Sequence, residues 1–88
     1  LFSVQYTANW NAGDPGSVIS ANQTWLNGVW QSMRPYASGG VYQNYIDPNL
    51  PNYLQAYYGS NLPRLEQIKA TYDPNNLFHS PQSIPPAS

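Results

Sequence analysis

Tyr42 and Tyr45 stand three residues apart in a β-branched and aromatic segment, and Gln5 and Asn9 stand four apart near the start of the chain. Phenols and amides suit a polyhydroxylated ligand, because an amide bonds hydroxyls in both directions and a ring stacks on the C–H face of a sugar. Packing is the competing account of the aromatic residues: Trp25, Trp30, Tyr57 and Tyr72 fall at helical spacings, as core residues do. Asp47 and Asp73 could serve as paired acid/base carboxylates. Each also precedes a proline, where an aspartate ordinarily bonds the backbone of a turn. His79, beside Phe78, reads as a surface or packing residue rather than a base. Asn22-Gln23-Thr24 is an N-glycosylation acceptor, although Asn22 lies one turn after Val18 and one before Leu26, on the apolar side of its helix. No phosphate-cradling glycine loop, metal-ligand cluster or Ser/His/Asp set is present.

The composition around these residues narrows the classes open to the chain. Its 88 residues allow one small domain, with 41% hydrophobic and 15% aromatic residues and a net charge of −1. Only 8% are charged, against the ~25% of an ordinary domain. Arg34, Arg64 and Lys69 are the only fixed cations, too few to follow a phosphate backbone or an anionic membrane surface. No apolar run approaches the ~20 residues of a membrane span. Without cysteine there is no disulfide, thiolate metal site or thiol nucleophile, and one histidine cannot build a multi-histidine metal centre. A surface solvated by amides and hydroxyls is typical of a secreted protein, or of a piece covered by the rest of a larger one. The chain reads as such a piece.

These groups must be placed by local elements. Leu1 to Thr7 alternates apolar and polar residues and predicts a strand. Asn11 to Gly16 is turn chemistry, and a helix from about Ser17 to Met33 follows, with Ser17 as N-cap. Val18, Trp25, Leu26, Val29 and Met33 give it an apolar side to bury against the sheet. Val41 to Ile46 predicts a second strand, stopped by Asp47-Pro48. Leu50 to Tyr58 is a short helix ended by Gly59, and Asn61 caps another to about Tyr72, with Leu65, Ile68 and Tyr72 on one face. Ser80 to Ser88 is expected to be extended rather than folded. Strand, helix, strand, helix, helix predicts an α+β fold: antiparallel strands covered by helices, the remaining strands lying outside this chain.

At Val41-Tyr42-Gln43-Asn44-Tyr45-Ile46-Asp47 the sequence resembles the C-terminal part of the berberine-bridge-enzyme-like flavoprotein oxidases, in the vanillyl-alcohol-oxidase superfamily. Trp25 to Tyr36 matches the helix before the Tyr-x-Asn-Tyr segment. Ala56-Tyr57-Tyr58-Gly59-Ser60-Asn61, Pro63-Arg64-Leu65, Ile68-Lys69, Tyr72-Asp73-Pro74-Asn75-Asn76 and Pro81-Gln82-Ser83-Ile84-Pro85-Pro86 follow in family order. Each is weak by itself; the ordered set is specific.

The resemblance implies a substrate domain whose antiparallel sheet roofs a flavin ring. Residues 1–46 would end that domain, and 47–88 would form the helical segment and tail returning to the FAD domain. FAD is commonly anchored covalently through a histidine, often with a cysteine, in the preceding part of such proteins. The 88 residues alone are therefore expected to be inactive and to bind FAD weakly or not at all. Tyr45 matches the catalytic base of a two-electron oxidation, in which hydride leaves a substrate carbon for flavin N5 while a proton leaves the adjacent hydroxyl. A phenol of reference pKa ~10 must be pushed lower for that task, and burial alone pushes it the wrong way. Tyr42 matches a substrate-lining position, Gln5 and Asn9 resemble sugar-contacting amides, and Asn44 is placed near the flavin. A regular strand would send Tyr42 and Tyr45 to opposite faces, so both can line one pocket only if the strand bulges or already turns.

The leading expectation is a secreted, glycosylated FAD-dependent carbohydrate oxidase. It would convert the anomeric carbon of a mono- or oligosaccharide to a lactone, with O2 as acceptor and H2O2 as product. Its partners would be the FAD domain of its own polypeptide, the sugar and O2, with no metal, nucleic acid or membrane. The alternatives are an oxidase of the same family acting on an alkaloid or polyketide-type metabolite, and a non-enzymatic carbohydrate-binding module.

Overall fold

A computed structural model describes residues 2–88. They fall into two compact units, one ending at Ser38 and the other spanning Gly39–Ser88.

The first unit is built on α1, Gly16–Met33. Its entry is set by a turn in which the Asn11 N–H donates to Asp14 Oδ2 at 2.7 Å and the Asp14 N–H returns to the Asn11 carbonyl at 3.1 Å. Gly13 takes φ +92° inside that turn, a conformation side chains with a Cβ rarely adopt. Pro15, at φ −58°, occupies the N-cap, and its carbonyl accepts from Val18 and Ile19. Ser17, expected to cap, lies inside the helix, because proline already presets the entry angle. At the other end α1 tightens into a 3-10 turn, Arg34–Tyr36, where Pro35 stops the α-helical ladder. The Arg34 guanidinium stacks over Trp30, 4.7 Å from the ring centroid.

The second unit contains α2, Tyr53–Tyr58, a 3-10 turn at Gly59–Asn61, and α3, Leu62–Tyr72. Gly59, at φ +51°, makes the break between the two helices. Helix α2 begins two residues after Pro51 rather than at Leu50, because Asn52 is left-handed at φ +53° and cannot continue a helix. Asn61 precedes α3 without a side-chain cap, and Pro63 sits in the tolerated first turn.

Three α-helices and no strand among the described residues overturn the α+β expectation of antiparallel strands covered by helices. A strand exists only through a ladder, and neither expected strand has one. Leu1 lies outside the described residues; Phe2 to Thr7 runs without regular structure. In the Val41–Ile46 segment the Val41 N–H donates to the Ala56 carbonyl on α2, at 3.0 Å, and the Tyr45 N–H to the Tyr42 carbonyl, at 3.1 Å. Alternation and β-branching describe a chain that fits a sheet, but they do not supply its neighbour.

The tail also departs from expectation. Ser80–Ser83 closes a turn, Gln82 to Ala87 are half-buried, and the Ala87 N–H donates to the Glu66 carbonyl of α3 at 3.0 Å.

Burial within the chain is slight. Leu50 is the one hydrophobic residue buried among those described, at 7% exposure. The apolar side expected of α1 is largely open: Val18, Trp25 and Met33 are exposed, while Leu26 and Val29 are half-buried. Trp25, Val29 and Met33 line an open groove of about 420 Å³ with Thr24, Gly28 and Ser32. Tyr72, placed on a buried face of α3, is exposed as well. The large apolar side chains left open in each unit are what a surface made to be covered looks like.

Helix α3 ends on a compact polar device. The Asp73 carboxylate accepts from the Leu77 N–H at 2.8 Å, the Phe78 N–H at 3.0 Å and the Lys69 ammonium, which also donates to the Phe78 carbonyl. The Lys69 ammonium, with the two amides, holds the Asp73 carboxyl below its ordinary range, while partial burial works in the opposite sense. A depressed carboxyl pKa stabilises the fold above the unfolded value of ~3.9 and loses that contribution as pH falls through the folded value. Asp73→Asn is accordingly expected to lower Tm at neutral pH and to flatten its acid dependence below about pH 4. Thermal unfolding of both proteins across that range checks it; parallel curves for the two would remove Asp73 from the account.

Candidate functional site

The sequence from Val41 to Asp47 forms a short loop whose two ends meet α2 at adjacent residues. At its start the Val41 N–H reaches the Ala56 carbonyl at 3.0 Å; at its end the Asp47 N–H reaches the Tyr57 hydroxyl at 3.2 Å. Inside, the Tyr45 N–H to Tyr42 carbonyl bond closes a four-residue turn centred on Gln43 and Asn44. A turn of this kind returns the chain on itself, so residues three apart come together instead of pointing to opposite faces.

That is where Tyr42 and Tyr45 stand. Their ring centroids are 5.6 Å apart with the planes tilted by 37°, and both remain open, at 56% and 64% exposure. The condition set by the sequence, a chain already turning before Asp47-Pro48, is therefore met by the turn itself.

Asn44 is engaged within the same turn. Its Nδ2 donates to the Tyr42 hydroxyl at 2.9 Å, and its Oδ1 accepts from Gln43 Nε2 at 2.8 Å. This fixes the Tyr42 oxygen as an acceptor on one side and leaves its own proton free to donate elsewhere. Gln5 and Asn9 belong to the first unit, and both are exposed.

The remaining candidates have contacts of their own. Asp47 Oδ1 accepts from the Asn49 N–H at 2.9 Å across Pro48, the backbone bond expected of a turn aspartate. Asp73 is spent on the end of α3, as described above. His79 is exposed, with Nδ1 3.0 Å from the Asn76 carbonyl. Asn22 is half-buried on α1, and its Nδ2, the atom a glycan would occupy, donates to the Val18 carbonyl at 2.9 Å. Among the described residues no three His, Cys, Asp or Glu side chains are grouped to hold a metal ion.

Two residues beyond the sequence candidates reach the loop. Helical spacing reads Tyr57 as a core residue, and Gln82 stands within the closing Pro-Gln-Ser-Ile-Pro-Pro run. The structure joins both to Asp47: Tyr57 donates to Gln82 Oε1 at 3.2 Å, and Gln82 Nε2 donates to the Asp47 carbonyl at 2.7 Å. One signal was available, a long amide set in a proline-rich tail with no periodicity of its own to satisfy.

The loop thus pairs two open phenols, braced by the Asn44 amide and tied at both ends to α2. Residues 41–85 match the family described as berberine and berberine-like, and the chain belongs to that family. It is 44% identical over 87 residues to the uncharacterized FAD-linked oxidoreductase YvdP of Bacillus subtilis, covering 99% of this chain and 19% of that protein. It is 39% identical over 64 residues to the carbohydrate oxidase of Microdochium nivale, covering 70% of this chain and 13% of that protein. A solved BBE-like 1 variant of Physcomitrella patens superposes with a TM-score of 0.79 at 40% identity, over 92% of this chain and 16% of that one. The chain thus spans about a fifth or less of the length of the relatives it matches.

Proposed function

We propose that this chain is part of a longer FAD-dependent oxidase that converts the anomeric carbon of a mono- or oligosaccharide to a lactone and reduces O2 to H2O2. The observation that carries the reading is the turn that sets Tyr42 and Tyr45 side by side with both rings open. Family membership and the names of the relatives support the flavin, and the carbohydrate oxidase among them supports the sugar.

The residues present fit only part of that cofactor. A dinucleotide pyrophosphate needs clustered cations or a glycine-rich helix N-terminus. In this chain Lys69 is committed to Asp73 and the Phe78 carbonyl, and Arg34 is stacked on Trp30. The Tyr42–Tyr45 turn fits the reacting side, where substrate is held and a proton is moved. Covalent attachment belongs, in this proposal, to the remainder of the polypeptide.

A flavin bound beside this turn would supply the acceptor for the hydride lost from the anomeric carbon, with oxygen as the final electron acceptor. The phenolate form of Tyr45 would take the proton of the anomeric hydroxyl and become the phenol, so that loss of hydride leaves the carbon as a neutral carbonyl. Tyr42 lies against the sugar ring and, with its oxygen already accepting from Asn44, donates to a substrate oxygen. Asn44 holds that arrangement and would lie near the flavin. Gln5 and Asn9 contact sugar hydroxyls. Secretion and an N-glycan at Asn22 complete the reading; the glycan requires Asn22 Nδ2 to leave the Val18 carbonyl.

Peroxide release by the full-length protein across a panel of sugars tests the substrate class. Turnover of alkaloid or polyketide alcohols with none on sugars would transfer the reading to a secondary-metabolite oxidase, and a protein without flavin absorbance would reduce it to a sugar-binding module. Gln5→Ala is expected to raise KM for the sugar more than it lowers kcat, because a hydrogen bond made equally in ground and transition states is lost from both. Steady-state kinetics checks this, and an unchanged KM removes Gln5 from the binding surface.

A further inference from the structure

We propose that Gln82 and Tyr57 are positioning residues for Tyr45, closing a three-membered hydrogen-bond ring with the Asp47 backbone that clamps the exit of the Tyr42–Tyr45 turn. The catalytic part of this inference rests on Tyr45 as the proton acceptor; the clamp itself rests on geometry alone.

The ring has one consistent direction. The Asp47 N–H donates to Tyr57 Oη at 3.2 Å, Tyr57 Oη donates to Gln82 Oε1 at 3.2 Å, and Gln82 Nε2 donates to the Asp47 carbonyl at 2.7 Å. An accepted amide proton leaves the Tyr57 hydroxyl with one proton to give, which sets which end of the Gln82 amide must face it. The other end then meets the Asp47 carbonyl, which accepts from Leu50 N–H as well, at 3.1 Å. Both main-chain groups of Asp47 are thereby paired, two residues beyond Tyr45.

Each member is held in turn by its own surroundings. Tyr57 is half-buried on α2, with its ring 6.4 Å from Tyr53 and 6.1 Å from Tyr58. Gln82 projects from a turn in which the Ser80 N–H donates to Ser83 Oγ, Ser83 Oγ to the Ser80 carbonyl, and Ser83 N–H to that same carbonyl. The loop's entrance is bonded to Ala56 and its exit to Tyr57, so successive residues of one helix hold both ends. Five residues, Tyr42 to Ile46, span the gap. With exposed phenols that have little packing of their own, their placement depends on those two attachments.

An acceptor displaced by about 1 Å costs on the order of 100-fold in rate, so a loosened exit is expected to show in turnover. The test uses the full-length holoenzyme carrying Gln82→Met, which keeps length and removes both bonds, and Tyr57→Phe, which removes only an oxygen. The expected result is faster hydrogen exchange across residues 42–47, with exchange in residues 16–33 unchanged. It is accompanied by a kcat lower by about 10- to 100-fold at a KM within about twofold of wild type. FAD content is retained, and the double variant is no worse than the poorer single one, because both act through one ring. Unchanged exchange across 42–47 in both variants overturns the clamp, as does a fall in kcat that merely tracks lost FAD. Tyr45→Phe, measured alongside, separates the two claims. Normal turnover of Tyr45→Phe with loosened exchange in Gln82→Met discards the base and keeps the clamp; slow turnover of Tyr45→Phe with wild-type exchange in Gln82→Met does the reverse.

Discussion

Tyr45→Phe in the full-length enzyme is expected to slow flavin reduction by about 100- to 10,000-fold, the usual worth of a general base, with FAD content and Tm at wild-type values. The substitution removes one oxygen and keeps the ring, and that ring is 64% exposed within this chain, so little packing depends on the hydroxyl. Its stacking against Tyr42, at a centroid distance of 5.6 Å, survives the change. What disappears is the group proposed to accept the substrate's hydroxyl proton. Hydride transfer from a neutral alcohol would then have to produce a protonated carbonyl, which is strongly unfavourable. Because the lost interaction is made only as the proton moves, kcat and kcat/KM should fall together with substrate affinity little altered. Stopped-flow reduction at varied substrate concentration measures both. A Tyr45→Phe rate within a few-fold of wild type would show that the phenol only packs.

Leu50→Ala is expected to be the most damaging single truncation in the second unit, costing about 2–5 kcal/mol in denaturant unfolding of the full-length protein. Among the described residues Leu50 is the one hydrophobic side chain that is buried, at 7% exposure, while Tyr45 and Ile46 shortly before it remain open. Its main chain closes the Asp47 turn, with Leu50 N–H donating to the Asp47 carbonyl at 3.1 Å. A cavity at Leu50 therefore loosens the same residue that anchors the exit of the Tyr42–Tyr45 loop. Leu50→Met, which nearly conserves volume, should cost less than about 1.5 kcal/mol. Equal, small losses for the two variants would show that Leu50 is not packed closely enough to carry the loop.

The two expectations differ in what they probe. Tyr45, the proposed base, stands at an open surface, and Leu50 is the buried hydrophobic residue among those described. The contrast follows from the small amount of surface these residues bury among themselves. Val18, Trp25, Met33, Tyr36 and Tyr72 are the kind of side chain that a complete domain hides, and all are exposed.

Helix α1 was legible because its determinants are local: a turn sequence ending in Asp14-Pro15-Gly16, a 3.6-residue apolar period and a proline at its end. Helix α3 was legible for the same reason, from Asn61 and Pro63 at its start to Asp73-Pro74 at its close. Tyr42, Asn44 and Tyr45, on which the proposed site rests, stand out in the sequence by residue type and order. The strands were not decidable from the same information. Alternation at Phe2–Thr7 and β-branching at Val41–Ile46 express a preference for an extended chain, but only a second backbone alongside converts that preference into a strand. Tertiary structure gave Val41 a helix carbonyl instead and folded Tyr42 to Tyr45 into a turn. It likewise decided that two tyrosines three apart meet on one side, and that Gln82, thirty-five residues beyond Asp47, fixes the loop between them and α2. Residue type and short-range period determine which groups are available and where the chain is stiff. Which of them meet depends on hydrogen bonds between segments distant in sequence, and no local pattern encodes those.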